Sequence, residues 1–179
     1  MSAPRQYSRL SIGLHWLTLL LIIVVYAMAE LKGFFPRDSA TAAAMRILHS
    51  SCGLTILALT IIRLAVRLRH PAPRITPAPA DWENLLAKVM HAALYAMLIA
   101  LPLLAWFAIS AFGGSPRFWG IPLPALTTEN KDLAKNVIGA HKLIANIGYG
   151  LIGLHALAAL KHHYIRRDDT LRRMLPARG

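Results

Sequence analysis

Histidines are the residues of this sequence best suited to chemistry. Eight occur among 179 residues, and six of the eight lie within or at the ends of long apolar segments. These six are His15, His49, His91, His141, His155 and His162. Polar side chains are costly in such segments and usually have a function. Neutral imidazole binds metals, including haem iron, and transfers protons near neutral pH. The distribution therefore predicts a metal or proton site within the apolar part of the chain.

The spacing of His141 and His155 indicates how many sites there are. Fourteen residues separate them, which on a helix places both side chains within about 40° of one direction and about 21 Å apart along the axis. Since bonds from imidazole to a metal are about 2 Å long, one metal cannot bind both. The spacing predicts two stacked sites, each with a second ligand from another helix.

Depth selects the partners of these two histidines. His49 lies near one end of its apolar segment, level with His141, whereas His15 and His91 lie near the opposite face, level with His155. We predict an outer pair, His49 with His141, and an inner pair, His15 with His155, with His91 as the alternative inner ligand. Any one histidine alone is better explained by a hydrogen bond between helices. The two depth-matched sets together favour two haems, and these are not of the covalent c type because the sequence has no CxxCH motif.

Four apolar segments must carry these histidines, at about 11–31, 47–66, 85–112 and 137–160. Each is long enough to provide the roughly 20 helical residues that span a bilayer core. A hydrophobic content of 56% and a mean hydropathy of +0.47 also exceed what a soluble domain of this size needs. We therefore predict an all-α fold, in which a single membrane domain over residues 1–179 forms a four-helix bundle holding two stacked b-type haems.

Basic residues lie at the ends of the apolar segments. A net charge of +12 would suit nucleic acid, but cations in these places fit anionic lipid headgroups better, so we expect membrane lipids as partners and no nucleic acid. Thirteen of the 20 Lys and Arg residues fall on the side of the two termini and the Pro-rich loop, and seven fall on the other. The asymmetry predicts that both termini are cytoplasmic.

Haem propionates need cationic partners near each membrane face. Arg46 and Lys142 are candidates for the outer haem, and Arg63 and Arg67 are candidates for the inner one. Extension of these side chains toward the lipid interface explains each of them equally well. Gly148 lies midway between His141 and His155, where it leaves room either for the macrocycles or for close packing of a neighbouring helix.

Several short strings are similar to those of the bacterial cytochrome b561 family. They are Tyr7-Ser8-Arg9-Leu10 followed by His15-Trp16, Gly33-Phe34-Phe35-Pro36-Arg37, His49-Ser50-Ser51-Cys52-Gly53, and Gly153-Leu154-His155 followed by His162-His163-Tyr164. The similarity covers nearly the whole chain. It implies a bundle in the bacterial inner membrane with two b haems, whose axial ligands are His15, His49, His141 and His155. This resemblance is what favours His15 over His91.

Within that family the chain most resembles small di-haem members that oxidise superoxide at the periplasmic face and reduce ubiquinone near the cytoplasmic face. Quinone reduction consumes protons, so His162 and His91 are candidate proton donors on the inner side. Four outer cations are candidates for attracting superoxide: Arg37, Arg117, Lys131 and Lys135.

Two other functions stay open. The chain could be a cytochrome b anchor subunit that passes electrons between a partner dehydrogenase, such as a periplasmic donor, and quinone. A histidine-lined transporter for a metal ion or protons is less favoured, since acidic residues are scarce in the apolar segments, with Glu30 near a segment end.

Overall fold

Four long helices form the protein in a computed structural model that describes residues 6–175. They are α1 (Arg9–Leu31), α2 (Ala40–Arg69), α3 (Asp81–Ala111) and α4 (Lys131–Lys161). Each is long and apolar enough to cross a membrane, which confirms the predicted helical architecture. Arg5 and Arg178, two of the cations behind the predicted orientation, lie outside the described residues.

Polar residues set where the helices begin. The side chains of Ser39 and Asn130 accept hydrogen bonds from the backbone N–H groups of Ala42, at 3.2 Å, and Leu133, at 3.0 Å. These bonds satisfy donors that the first turn of a helix leaves free. As a result α2 and α4 start several residues before the apolar segments that the sequence shows.

The bundle consists of two helix pairs with a gap between them. α1 packs along α2, α3 packs along α4, and α2 touches α3 less extensively. Within residues 6–175, the backbone of α4 makes little close approach to α1 or α2. A small apolar cluster of Ile56, Met97 and Leu98 lies at the middle of the bundle. The space between the pairs is therefore filled by side chains rather than by helices in backbone contact.

Tyr26 bridges this gap halfway along α4. Its hydroxyl donates a hydrogen bond to the carbonyl of Ala145 at 2.8 Å. A Cβ atom added at Gly148 would lie 2.3 Å from the Tyr26 Oη and 2.8 Å from the Met97 Sδ. The missing side chain of Gly148 thus makes room for side chains of α1 and α3. Of the two explanations given for this glycine, the structure shows the close packing of neighbouring helices.

The segment that connects α3 to α4 contains a short hairpin, which packs against α2. Its strands, β1 (Arg117–Phe118) and β2 (Ile121–Pro122), are joined through Trp119 and Gly120, which have φ angles of 49° and 89°. A positive φ is unusual for a bulky residue. Two hydrogen bonds hold Trp119 there, from its backbone N–H to Ser51 Oγ and from its indole N–H to Thr55 Oγ1, each at 3.2 Å.

The opposite end of the bundle is closed by the carboxyl-terminal tail. After α4 the chain makes one turn of π-helix, His162–Arg166, and then folds back. The backbone N–H of Thr76 donates to Asp169 Oδ1 at 3.0 Å, and the backbone N–H of Asp169 donates to the carbonyl of Thr76 at 3.2 Å. The Arg173 guanidinium also donates to the carbonyl of Pro73. The tail is therefore attached to the Pro-rich loop that precedes α3.

Replacing Gly148 tests the bridge between the helix pairs. We expect Gly148→Ala to lower the free energy of unfolding by about 1–3 kcal/mol, because the new methyl group displaces the Tyr26 hydroxyl from its hydrogen bond. Thermal unfolding in detergent measures the change. Gly150→Ala is the matched control, since a Cβ there meets no atom within 4 Å. The double variant with Tyr26→Phe should recover part of the loss, and equal stability of the two alanine variants would contradict the assignment.

Candidate functional site

Two pairs of histidines face each other across the gap between the helix pairs. The ring centroids of His49 and His141 are 6.4 Å apart, with 63° between the ring planes. Those of His15 and His155 are also 6.4 Å apart, with 66° between the planes. All four rings are partly buried. The structure brings these histidines together in the two predicted combinations, of which depth had left the inner one open between His15 and His91, while their role as ligands stays a prediction.

The separation within each pair is suited to a metal. Two imidazoles on opposite sides of one iron have centroids about 6.3 Å apart, since each metal bond is about 2 Å long and each nitrogen lies about 1.1 Å from its ring centroid. Within residues 6–175 no group of three or more His, Cys, Asp or Glu side chains could hold a metal ion. A donor set of two histidines fits a metal whose other four ligands come from a macrocycle.

Backbone carbonyls orient the two outer histidines. The Nδ1 atom of His49 lies 2.9 Å from the carbonyl oxygen of Val25, and the Nδ1 atom of His141 lies 2.9 Å from that of Leu101. Because a carbonyl can only accept, each ring carries its proton on Nδ1. The Nε2 lone pair of each ring is then free to bind a metal, an arrangement common among metal-ligating histidines.

The inner pair has a different hydrogen-bond partner. Arg63 Nη2 lies 3.1 Å from His15 Nδ1, and the Arg63 guanidinium carbon lies 5.8 Å from the centroid of the Tyr95 ring. A guanidinium always donates, so Nδ1 of His15 accepts and the ring proton sits on Nε2. Arg63 is thus in direct contact with an inner histidine, and its role toward a propionate stays a prediction.

His91 lies beside the inner pair. Its ring centroid is 5.4 Å from that of His155, and its Nδ1 donates to the carbonyl of Ala87 at 2.6 Å. The distance from His91 to His155 is 6.4 − 5.4 = 1.0 Å shorter than the distance from His15 to His155. His91 would therefore have to move away before a metal could lie between it and His155, whereas His15 is already at a suitable distance.

The other three propionate candidates are less closely associated with the histidines. Arg46 donates to the carbonyl of Arg37 at 3.1 Å, and the guanidinium of Arg67 lies over the Tyr7 ring at 5.6 Å. Lys142 is exposed beside His141. Arg46 and Arg67 thus already have partners of their own.

The cations proposed to attract superoxide lie on exposed loops or near the start of α4. Lys131 pairs with Glu129 at 3.3 Å, and Lys135 pairs with Asp132 at 3.2 Å. The Arg117 guanidinium donates to the carbonyl of Gly120 at 3.4 Å, within the hairpin. These exposed ion pairs are weak, so the lysine charges stay largely available to an approaching anion.

His162, a candidate proton donor, has a partner that the sequence did not suggest. Its Nδ1 lies 2.5 Å from Oδ2 of Asp168, whose side chain is fully buried. Sequence reasoning gave His162 no acidic partner and so missed Asp168. The available signal was the separation of six residues, which a single turn after a helix can close.

Comparison with known proteins gives a consistent result. A family model described as prokaryotic cytochrome b561 matches residues 6–177. A protein of Yersinia pestis named probable superoxide oxidase CybB is 43% identical over 172 residues, which cover 96% of this chain and 97% of that protein. Cytochrome b561 homolog 1 of Escherichia coli K12 is 40% identical over 97% of this chain and 98% of its own length. Cytochrome b562 of Cereibacter sphaeroides is 28% identical over 99% of this chain and its own full length.

Proposed function

This chain belongs to the prokaryotic cytochrome b561 family, and from that premise we propose that it holds two b-type haems and passes electrons from superoxide to ubiquinone. Family membership makes it a b-type cytochrome of electron transport. Its four long apolar helices make it a multi-pass membrane protein. The number of haems, the electron donor and the electron acceptor are the proposed parts.

The observation that carries the proposal is the equal separation of the two histidine pairs, 6.4 Å in each. His49 and His141 would hold the outer haem, and His15 and His155 would hold the inner one. Each haem, when bound, would take up and release one electron at a time. The protein positions the ligands on facing helices and keeps an apolar layer around Ile56 and Met97 between the two sites.

The inner site requires one rearrangement of this chain's own groups. For His15 to bind a metal through Nε2, its ring proton must move to Nδ1. Arg63 can then no longer donate to Nδ1 and must turn to another acceptor. A propionate carboxylate near the inner site would be a suitable partner, because a planar guanidinium binds a carboxylate through two parallel hydrogen bonds.

Superoxide is proposed as the donor for two reasons. The relative from Yersinia pestis is named for that activity. The outer side also carries seven basic residues against the acids Glu30, Asp38, Glu129 and Asp132, which leaves a charge of 7 − 4 = +3. A surface of one sign raises the encounter rate of a small anion, modestly at this charge. Arg37, Arg117, Lys131 and Lys135 would contribute to it.

Ubiquinone is proposed as the acceptor at the other end. Its reduction consumes two electrons and two protons, so a proton donor must lie near the inner histidines. His162 occupies that end of α4, one turn of π-helix from the tail. His91 is the second candidate, exposed beside His155. We also propose that the single domain, residues 1–179, lies in the bacterial inner membrane with both termini cytoplasmic, in accord with the 13 to 7 asymmetry of basic residues.

Haem content tests the ligand assignment. We expect two b-type haems per chain, measured as pyridine haemochrome against protein concentration. His49→Ala and His141→Ala should each lose one haem, because the outer pair then keeps only one of its two imidazoles. His70→Ala, in an exposed position at the end of α2, is the matched control and should keep both. If His91→Ala loses a haem and His15→Ala does not, the inner ligand is His91 and not His15.

Stopped-flow absorbance tests the reaction. Superoxide should reduce the haems of the purified protein, and ubiquinone-1 should then oxidise them. His162→Ala should slow the quinone phase by about tenfold or more, as expected for loss of a general acid, while both haem spectra and the superoxide phase stay unchanged. If superoxide fails to reduce the wild-type protein, the donor is instead a partner dehydrogenase, and the superoxide part of the proposal is wrong.

A further inference from the structure

His162 and Asp168 form a buried pair at the inner end of the bundle. His162 follows His155 by seven residues, so it lies on nearly the same face of the α4 axis. The turn of π-helix covers His162–Arg166 and is followed by Arg167, which adopts a left-handed conformation with φ of 56°. This reversal brings Asp168 back to His162. Such turns are rare and are often found at functional sites.

The hydrogen bonds of Asp168 leave its carboxylate in one orientation. Oδ2 accepts from Nδ1 of His162 at 2.5 Å, and Oδ1 accepts from the backbone N–H of Thr170 at 2.9 Å. The backbone N–H of Asp168 donates to the carbonyl of His162 at 3.1 Å. The Asp168 side chain is 0% exposed and that of His162 is 17% exposed. Both oxygens of a buried carboxylate are thus satisfied.

The charge state of Asp168 decides which nitrogen of His162 can exchange a proton. Burial would raise the pKa of Asp168, but the hydrogen bonds from His162 and Thr170 hold that pKa below its usual range. Asp168 is therefore a carboxylate near neutral pH and can only accept. Nδ1 of His162 keeps its proton, and Nε2 is the atom that takes up and releases the other one.

Hydrogen bonds between the tail and the rest of the bundle hold Asp168 beside His162. The neighbouring Asp169 is hydrogen-bonded to Thr76 of the Pro-rich loop through both its backbone and its side chain. Farther along, the indole N–H of Trp16 donates to the carbonyl of Met174 at 2.7 Å. Trp16 follows His15 and its ring centroid is 5.4 Å from that of His15. The tail that carries Asp168 is therefore hydrogen-bonded to α1, the helix that carries His15.

We propose that Asp168 is a positioning residue for proton delivery at the inner site, where it directs the Nε2 atom of His162 toward the quinone. This inference rests on the proposed reduction of quinone. In the step, the Nε2–H bond of His162 breaks and an O–H bond forms on the quinone as it is reduced. His162 is then protonated again at Nε2 from the aqueous side. Over one turnover, two superoxide anions lose one electron each and become two molecules of oxygen. One quinone takes up these two electrons and two protons and becomes one quinol.

Several charged groups near this pair are themselves paired, while Arg167, which precedes Asp168, is exposed. Lys161 and Arg166, on the same segment as His162, contact Glu83 of α3 at 3.4 Å and 2.7 Å. In the tail, Arg173 Nε lies 3.2 Å from Asp169 Oδ1. None of these pairs includes Asp168 or His162, so a change in pH dependence on removal of the Asp168 carboxylate reports on the Asp168 and His162 pair.

The test uses the holoprotein reduced chemically by dithionite, freed of excess reductant, and then oxidised by ubiquinone-1 at a series of pH values. Asp168→Asn should slow this oxidation by about tenfold or more, as in other Asp–His pairs where the carboxylate holds the tautomer. An Asn amide can donate as well as accept, so Nδ1 of His162 no longer has to keep its proton, and the pH profile of the rate should differ from that of wild type. Asp168→Glu should restore part of the rate.

Asp169→Asn is the matched control, because Asp169 contacts the same tail and loop but not His162. Its rate and pH profile should stay within about twofold of wild type. In the His162→Gln background, Asp168→Asn should have no further effect, since residues that act as a unit are not additive. An unchanged rate and pH profile in Asp168→Asn, or equal losses in Asp168→Asn and Asp169→Asn, would overturn the assignment.

A spectroscopic measurement covers the case in which Asp168→Asn does not fold. The ¹⁵N spectrum of His162 in the fully reduced wild-type protein should show a proton on Nδ1 and an exchangeable proton on Nε2. A neutral ring protonated on Nε2 instead would refute the proposal. Since these assays begin from chemically reduced protein, they do not depend on superoxide. Failure of the wild-type protein to reduce quinone at all would count against the proposed function itself.

Discussion

Two hydrogen bonds from imidazole to backbone carbonyl, His49 to Val25 and His141 to Leu101, constrain the rest of the bundle. An imidazole N–H left unpaired in an apolar interior costs about 1–3 kcal/mol. Each bond removes that cost by joining a histidine on one helix to the neighbouring helix, α2 to α1 and α4 to α3. The same two bonds put the Nε2 atoms into the gap between the helix pairs. The same two hydrogen bonds therefore join the helices of each pair and leave metal-binding nitrogen atoms facing the gap.

The middle of this gap lies between the outer and the inner histidines. Between them Tyr26 reaches across to α4, and the absence of a side chain at Gly148 makes this contact possible. Ile56, Met97 and Leu98 form an apolar layer at the middle of the bundle. The two histidine pairs, one on either side of such a layer, suit a protein that moves electrons between its ends.

The two ends of the bundle are closed in different ways. At the outer end a hairpin lies on α2, held by the hydrogen bonds of Trp119 to two hydroxyl groups. At the inner end the tail accepts a hydrogen bond from Trp16 and contributes Asp168. In the proposed reaction, electron uptake from a small anion at the outer end requires positive charge more than proton transfer, whereas quinone reduction at the inner end requires a proton donor. The His162 and Asp168 pair is found at the end that needs it.

Hydropathy and helical periodicity are local properties, so the sequence by itself determined the four helices, the two levels of histidines and the distribution of basic residues. His141 and His155 share one face because 14 residues complete nearly four turns. The position of the hairpin on α2 and the contact between Arg63 and His15 depend on residues far apart in the chain. Tertiary packing alone brought His15 to 6.4 Å and His91 to 5.4 Å from His155. It also returned Asp168 to His162, because the direction of a chain after a helix is decided by what the tail can bind.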